Sequence, residues 1–308
     1  MQPDSTRAQP ALLDHSMVAE ESPVETQRFD ALLPAEMARK AESIGVAKAG
    51  LNAVSTVALA ILAGAFIALG AAFATTVASG AAGVLPSGVT RVLSGLVFSL
   101  GLILVVVGGA ELFTGNNLII MAWASRKLSH AALLRNWALV YTGNFIGAVG
   151  TVLLVFFSRQ YTFDGGAIGA AALATATHKV GLGFMQAVVL GILANGLVCL
   201  AVWLSFSART TTDRILAVIF PITAFVAAGF EHSIANMYFV PLGILIRGWA
   251  PESFWRAIDA SPAEYDALNW LTFLGDNLLP VTLGNIIGGV VLVGATYWFV
   301  YLRTRPSH

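Results

Sequence analysis

The sequence predicts an all-α membrane protein of six transmembrane spans, arranged as a 3+3 inverted repeat with two of the spans broken near their middle. Three observations carry this prediction. Only 11% of the 308 residues are charged and 57% are hydrophobic, with a mean hydropathy of +0.77, whereas a soluble domain carries roughly 25% charge. Four apolar runs, at 53–78, 133–157, 181–206 and 281–302, each meet the ~20 residues that a bilayer crossing needs. Two further apolar runs are interrupted by the same polar motif, Gly109-Ala-Glu111-Leu-Phe-Thr114-Gly-Asn116 and Gly229-Phe-Glu231-His232-Ser-Ile-Ala-Asn236.

Taken in order, the chain opens with 1–28, read as a disordered acidic cytoplasmic tail. The first 50 residues hold 8 of the 17 acids and no long apolar run, which is not the pattern of a signal peptide. Residues 29–49 read as an amphipathic cytoplasmic helix that starts near Pro34 and lies on the membrane surface or docks beneath the first span. Residues 50–305 form the six-span domain, and 306–308 a short C-terminal tail. Within that domain 94–107 meets the first motif and resumes at 117–124, and 215–228 meets the second and resumes at 237–246. Neither half of either pair is expected to cross alone, so each pair makes one discontinuous span.

A second duplication supports the repeat. Gly143-Asn144-Phe-Ile146-Gly147-Ala148 lies in the third span and Gly284-Asn285-Ile-Ile287-Gly288-Gly289 in the sixth. Each half therefore holds three spans. Because three is odd, the second half must be inverted relative to the first. Basic residues set the orientation. With the N-terminus inside, the tail is joined by Arg126, Lys127, Arg135, Arg209, Arg214, Arg303 and Arg305, against Arg91, Arg159, Lys179, Arg247 and Arg256 outside. Both termini are thus expected in the cytoplasm, and the segment 247–277 outside.

Composition excludes several classes. The net charge is zero, which gives no basis for nucleic-acid binding. The single cysteine, Cys199, allows no disulfide framework, and no metal or cofactor site is expected. His-Glu-x-x-His and Gly-x-Ser-x-Gly motifs are absent, so an intramembrane enzyme is not expected. Neither break carries the Asn-Pro-Ala of water and glycerol pores.

Polar residues at membrane depth are unfavourable unless they line a cavity or are buried in protein, and matched breaks point to a transport site at the midplane. His232 is the leading candidate, because imidazole exchanges a proton near neutrality. Thr114, read as occupying the corresponding position in the first break, can donate and accept. Asn195 is a mid-span hydrogen-bond donor. Lys179, read as the start of the fourth span, would attract anions to the outer mouth. Asn116 and Asn236 are expected to cap the resumed half-helices, and Glu111 and Glu231 to satisfy backbone N–H groups freed by the breaks.

Around these residues the chain resembles the formate/nitrite transporter family. The resemblance lies in 100–107 with Glu111-Leu-Phe-Thr114, His178-Lys179-Val180, Leu190 through Asn195 to Trp203, Gly229 through Met237, Asp276–Asn277 through Gly289, and Tyr297 to Arg303. It implies an aquaporin-like protomer with its own pore, a homopentamer, and the inner membrane of a bacterium. The substrates implied are formate and similar small monocarboxylates or nitrite, with a nitrite-selective or proton-coupled uptake system as the alternative. By family position Phe98, Leu102, Phe113, Val198 and Phe225 narrow the pore. An isolated anion in low dielectric costs of order 20 kcal/mol by an idealised Born estimate, so His232, the lone titratable group of the expected pore, is expected to protonate the weak acid, or to hold it as imidazolium–formate, before an apolar gate. The 29–49 helix is then a candidate regulatory element and a candidate contact for a cytoplasmic partner.

Overall fold

The computed structural model describes residues 31–81 and 84–303; the 1–28 tail, the 306–308 tail and Arg305 lie outside the described residues. The described chain is helical, and no strand occurs among the described residues. It begins with α1 (Pro34–Gly50), α2 (Ala53–Ala78) and α3 (Ser87–Gly108). The first break follows, with the short α4 (Phe113–Asn116), a 3₁₀ turn and α5 (Ile120–Ala124). Next come α6 (His130–Phe157), α7 (Ala167–Val180), α8 (Phe184–Ser207) and α9 (Thr211–Ala227). The second break leads into α10 (Ser233–Trp249), and α11 (Glu252–Ala257) lies in the loop beyond it. The last span is built from α12 (Trp270–Thr272), α13 (Leu279–Ile287) and α14 (Thr296–Tyr301), joined by π-helical segments Phe273–Leu278 and Gly288–Ala295.

Five helical segments are long and apolar enough to cross a membrane: α2, α3, α6, α8 and the composite last helix. The interrupted pair α9 and α10, of 17 residues each, supplies the remaining broken span of the expected architecture. One expectation needs correction here. The first half of the first broken span is a 22-residue helix of hydropathy 2.2, not a short half-helix. It starts at Ser87, directly after Pro86, with Arg91 exposed near this end.

Helix ends are set locally. Asn52 accepts the Ser55 N–H at 2.9 Å, Ser129 the Ala132 N–H at 3.1 Å, and Thr210 with Asp213 forms a capping box. Gly181 and Gly183 flank the turn that separates α7 from α8. Lys179 therefore ends α7 and does not begin the fourth span.

That turn exposes a larger repeat than the one expected. α1 and α7 occupy matching places, each preceding a long helix and each ending in a lysine that reaches a break. Each half is one short helix plus three spans. α1 is docked, with Ala38, Ala41, Glu42, Gly45 and Ala49 buried. It packs on α5, α6, α8 and α14 rather than beneath the first span. Glu42 pairs with Lys127 at 2.7 Å, and Lys40 Nζ donates to Phe206 O at 2.8 Å.

The two G-N-x-I-G segments are where backbones meet. A Cβ on Gly147 would overlap the Ile61 carbonyl of α2, and one on Gly288 the Ile192 carbonyl of α8. Absent side chains here let helices approach as small-residue stripes do in membranes. Gly150, one turn along α6, has nothing within 4 Å. The Gly147→Ala protein should therefore lose at least ~1–3 kcal/mol through overpacking, read as a lowered melting temperature in detergent. Gly150→Ala should be neutral or slightly stabilising; equal losses at both positions would contradict the packing account.

Candidate functional site

Each break begins with a glycine in the left-handed region, Gly109 and Gly229 both at φ 75°, a conformation that a side chain would strain. The following amide folds back in each case. Ala110 N–H donates to Val105 O at 3.0 Å and Phe230 N–H to Phe225 O at 3.0 Å. One residue on, Glu111 N–H donates to Leu59 O at 3.2 Å and Glu231 N–H to Leu190 O at 3.3 Å. Extended backbone then runs into the next helix.

Two asparagine side chains hold this backbone. Asn144 Oδ1 accepts the Phe113 N–H at 2.9 Å, while its Nδ2 donates to Ala60 O at 2.8 Å and Glu111 O at 2.9 Å. Asn285 Oδ1 accepts the Ser233 N–H at 2.8 Å, while its Nδ2 donates to Gly191 O at 2.8 Å and Glu231 O at 2.9 Å. Both are fully buried. The duplicated G-N-x-I-G motif was the sign of them, but periodicity alone gave them no task.

The glutamates do something other than expected. Glu111 Oε1 takes Lys48 Nζ at 2.8 Å and its Oε2 takes Asn116 Nδ2 at 2.6 Å. Glu231 Oε1 takes Lys179 Nζ at 2.8 Å and its Oε2 takes Asn236 Nδ2 at 2.7 Å. Neither carboxylate bonds the freed backbone, which Asn144 and Asn285 already satisfy. Nor do Asn116 and Asn236 cap the resumed helices. Their amides bridge to Asn136 Oδ1 at 3.0 Å and Asn277 Oδ1 at 2.8 Å, and those asparagines donate to Lys48 O and Lys179 O. Two matched Lys–Glu–Asn–Asn clusters result, one per half. Lys48, Asn136 and Asn277 were missed; the matching spacings of Asn136 to Asn144 and of Asn277 to Asn285 were the available signal. Asn277 also shows that the supposed outer segment 247–277 ends inside the last helix, where it is fully buried.

With Glu231 at 2.8 Å, the Lys179 ammonium is neutralised and also lies 5.3 Å from the Phe239 ring centre. The two clusters differ in one bond. Lys48 Nζ also donates to Asn116 Oδ1 at 2.9 Å, whereas Asn236 Oδ1 is buried without a partner.

His232 caps α10, its Nδ1 accepting the Ala235 N–H at 3.1 Å. With Nδ1 occupied as an acceptor, the proton of the neutral ring is assigned to Nε2. Nε2 lies 2.9 Å from Thr114 Oγ1. The hydroxyl thus accepts from the ring and keeps its own proton to donate. His232 and Thr114 are 2% and 0% exposed. They do not occupy corresponding repeat positions, as the sequence reading had it: the matched breaks pair His232 with Leu112 and Thr114 with Ile234. The two are brought together across the pseudo-symmetry axis because both breaks meet at the same depth.

Two cavities lie toward opposite ends of α3; His232 lines one of them and Thr114 neither. One of about 260 Å³, on the α1 side and the inner cavity in the orientation expected from the basic residues, is walled by Lys40, Lys48, Arg214, Leu102 and Leu112 among others. The other, of about 400 Å³, on the α7 side and the outer cavity in that expected orientation, is walled by Arg91, Ser94, Phe98, Lys179, Phe225 and His232 among others. The divide falls between Phe98 and Leu102, adjacent turns of one helix and 2% and 1% exposed. Phe98 and Phe225 meet edge to face at 5.6 Å, and Phe225 lies 5.9 Å from the His232 ring. His232 therefore borders the outer cavity. At the inner one, partial burial and the neighbouring Arg214 and Arg209 hold Lys40 below the usual lysine pKa.

Other expected pore residues lie elsewhere. Asn195 Nδ2 is shared among Asn285 O at 2.6 Å, Asn117 Oδ1 at 2.8 Å and Thr114 O at 3.3 Å. It borders neither cavity and acts as an interhelical tie that holds the Thr114 backbone. Phe113 packs edge to face on Tyr141 and Trp137. Val198 is buried in α8. Neither borders either of these two cavities.

Residues 35–299 match the formate/nitrite transporter family. The chain is 49% identical over 280 residues to the formate channel FocA of Escherichia coli strain K12, covering 91% of this chain and 98% of that protein. It is 42% identical over 264 residues to the formate channel FocA of Haemophilus influenzae, covering 86% and 93%. Its fold superposes on a solved pentameric formate channel with formate bound, at TM-score 0.78 and 50% identity over 82% of this chain and 98% of the other. The broken, inverted helical frame and this likeness along most of its length lead to one conclusion: the chain is a multi-pass membrane protein and belongs to the formate/nitrite transporter family.

Proposed function

We propose that this chain conducts formate across the bacterial inner membrane through a pore in each protomer, with both termini in the cytoplasm, and that it assembles as a homopentamer. The observation that carries this reading is the His232–Thr114 pair, set where two opposed cavities are parted by Phe98, Phe225 and Leu102. The relatives named formate channels and the pentameric solved relative support substrate and assembly. The excess of Lys and Arg on the N-terminal side supports the orientation. The wall that α1 contributes to the inner cavity through Lys40, Ile44 and Lys48 supports a regulatory role for that helix.

The chemistry follows from the charge problem. Formate crossing between Phe98 and Leu102 leaves water for aliphatic and aromatic walls, and one proton removes most of the penalty. In the neutral ring the Nε2 proton goes to Thr114 Oγ1, and the Thr114 hydroxyl proton is the donor left for a carboxylate. When a proton from water in the adjoining cavity enters with the anion and adds at Nδ1 in place of the Ala235 hydrogen bond, the Nε2 proton turns from Thr114 and passes to a formate oxygen. Formic acid results, and the ring keeps its proton on Nδ1. That tautomer faces the Ala235 N–H donor to donor, which favours loss of the Nδ1 proton to water and uptake of one at Nε2, restoring the resting form.

Asparagine is a good helix cap. His232→Asn should therefore keep the α10 cap and fold to within ~1 kcal/mol of the parent, yet carry formate with little dependence on pH between 5 and 8. Parent-like pH dependence in proteoliposomes would remove the proton role. Leu102→Ala should enlarge the narrow point and raise flux of acetate and lactate relative to formate; an unchanged ratio would place the selectivity elsewhere.

A further inference from the structure

One face of α3 reads, from the outer mouth inward, Arg91, Ser94, Phe98 and Leu102, spaced by three or four residues. The helix thus presents a cation, a hydroxyl, an aromatic ring and an aliphatic chain in sequence along the path. Ser94 is 9% exposed and borders the outer cavity, yet its Oγ has no hydrogen-bond partner among the described residues. A helical serine normally returns its hydroxyl to a carbonyl one turn back. Ser99 on the same helix does so, donating to Gly95 O at 3.1 Å. A buried polar atom left unpaired asks for a reason, and here the unused donor stands one turn outside the Phe98–Phe225 pair. Arg91, one turn further out, is exposed and makes no ion pair among the described residues. Lys179, by contrast, is taken by Glu231. The repeat sharpens the contrast: the position matching Ser94 in the second half is Arg214, which borders the inner cavity. The inner mouth carries a guanidinium where the outer one carries a buried hydroxyl.

We propose that Arg91 and Ser94 form a loading site for a small monovalent carboxylate in the outer cavity. Arg91 draws the anion in from water, and the Ser94 hydroxyl, buried in the resting structure, turns about χ1 to donate to one carboxylate oxygen as hydration is lost, before the ion meets Phe98 and His232. The site sets affinity for uptake from the outer side and leaves the step at His232 unaltered. This inference rests on the reading of the cavities as a carboxylate path.

The test uses the full chain in proteoliposomes of defined orientation, with initial rates measured for formate added on the outer side. Losing a hydrogen bond to a charged ligand predicts a KM raised roughly ten- to a hundredfold in Ser94→Ala, with the maximal rate within about a factor of two of the parent. Ser94→Thr, which keeps the hydroxyl, should restore the parent KM. Arg91→Gln should raise KM and weaken its dependence on ionic strength. An unchanged KM in Ser94→Ala, or Ser94→Thr as impaired as Ser94→Ala, overturns the assignment while the parent still conducts formate. A parent protein that carries formate no faster than empty vesicles overturns the conduction reading itself, and this site with it.

Discussion

The structure depends on satisfying backbone that has left the helix at membrane depth. Lipid offers no hydrogen-bond partners, and each freed N–H or C=O is costly there. Asn144 and Asn285 answer this in the same way. Each accepts one amide from the resumed chain and donates to two carbonyls, one in the break and one in a neighbouring long helix. An asparagine can do this only if its helix lies against that neighbour with no side chain between. The glycines at 147 and 288, whose Cβ positions are taken by neighbouring carbonyls, provide that contact. Close packing and break geometry are therefore one device.

Charge is handled by the same duplicated economy of parts. Each break holds a glutamate that would repel an anion if left bare. Each is matched by a lysine from the short helix that opens its half, and locked by two asparagines. Breaking a buried pair by removing one partner typically costs about 3–5 kcal/mol. Lys48 and Lys179 are thus framework residues of the breaks as much as features of the cavity walls.

The proposed function rests on where the two halves stop matching. His232 stands opposite Leu112 in the repeat, Asn195 takes a tie to Thr114 O that the first half lacks, and Arg214 and Ser94 differ at the two mouths. The symmetric parts hold a frame, and the asymmetric ones give it a titratable group on one side of an apolar divide. A ring that also caps a helix links its tautomer to the backbone: moving the proton to Nδ1 removes the acceptor that the Ala235 N–H needs.

Composition, run length and two duplicated motifs determined by themselves that this is a helical membrane protein with an inverted repeat and paired breaks, because apolar runs and polar interruptions are local properties of the chain. The same motifs singled out His232, Thr114, Glu111 and Glu231. Partners were not legible. Glu111 meets Lys48 and Glu231 meets Lys179 only once α1 and α7 are docked. α7 escaped notice because its small apolar residues blend into the neighbouring spans. Thr114 reaches His232 across the pseudo-two-fold axis, not in register with it, and Asn195 turns inward to a tie instead of facing a cavity. Hydrogen bonds between residues more than a hundred positions apart depend on how helices cross. Only the tertiary structure decided those, because a side chain's chemistry names what it can bond and not what will stand within 3 Å of it.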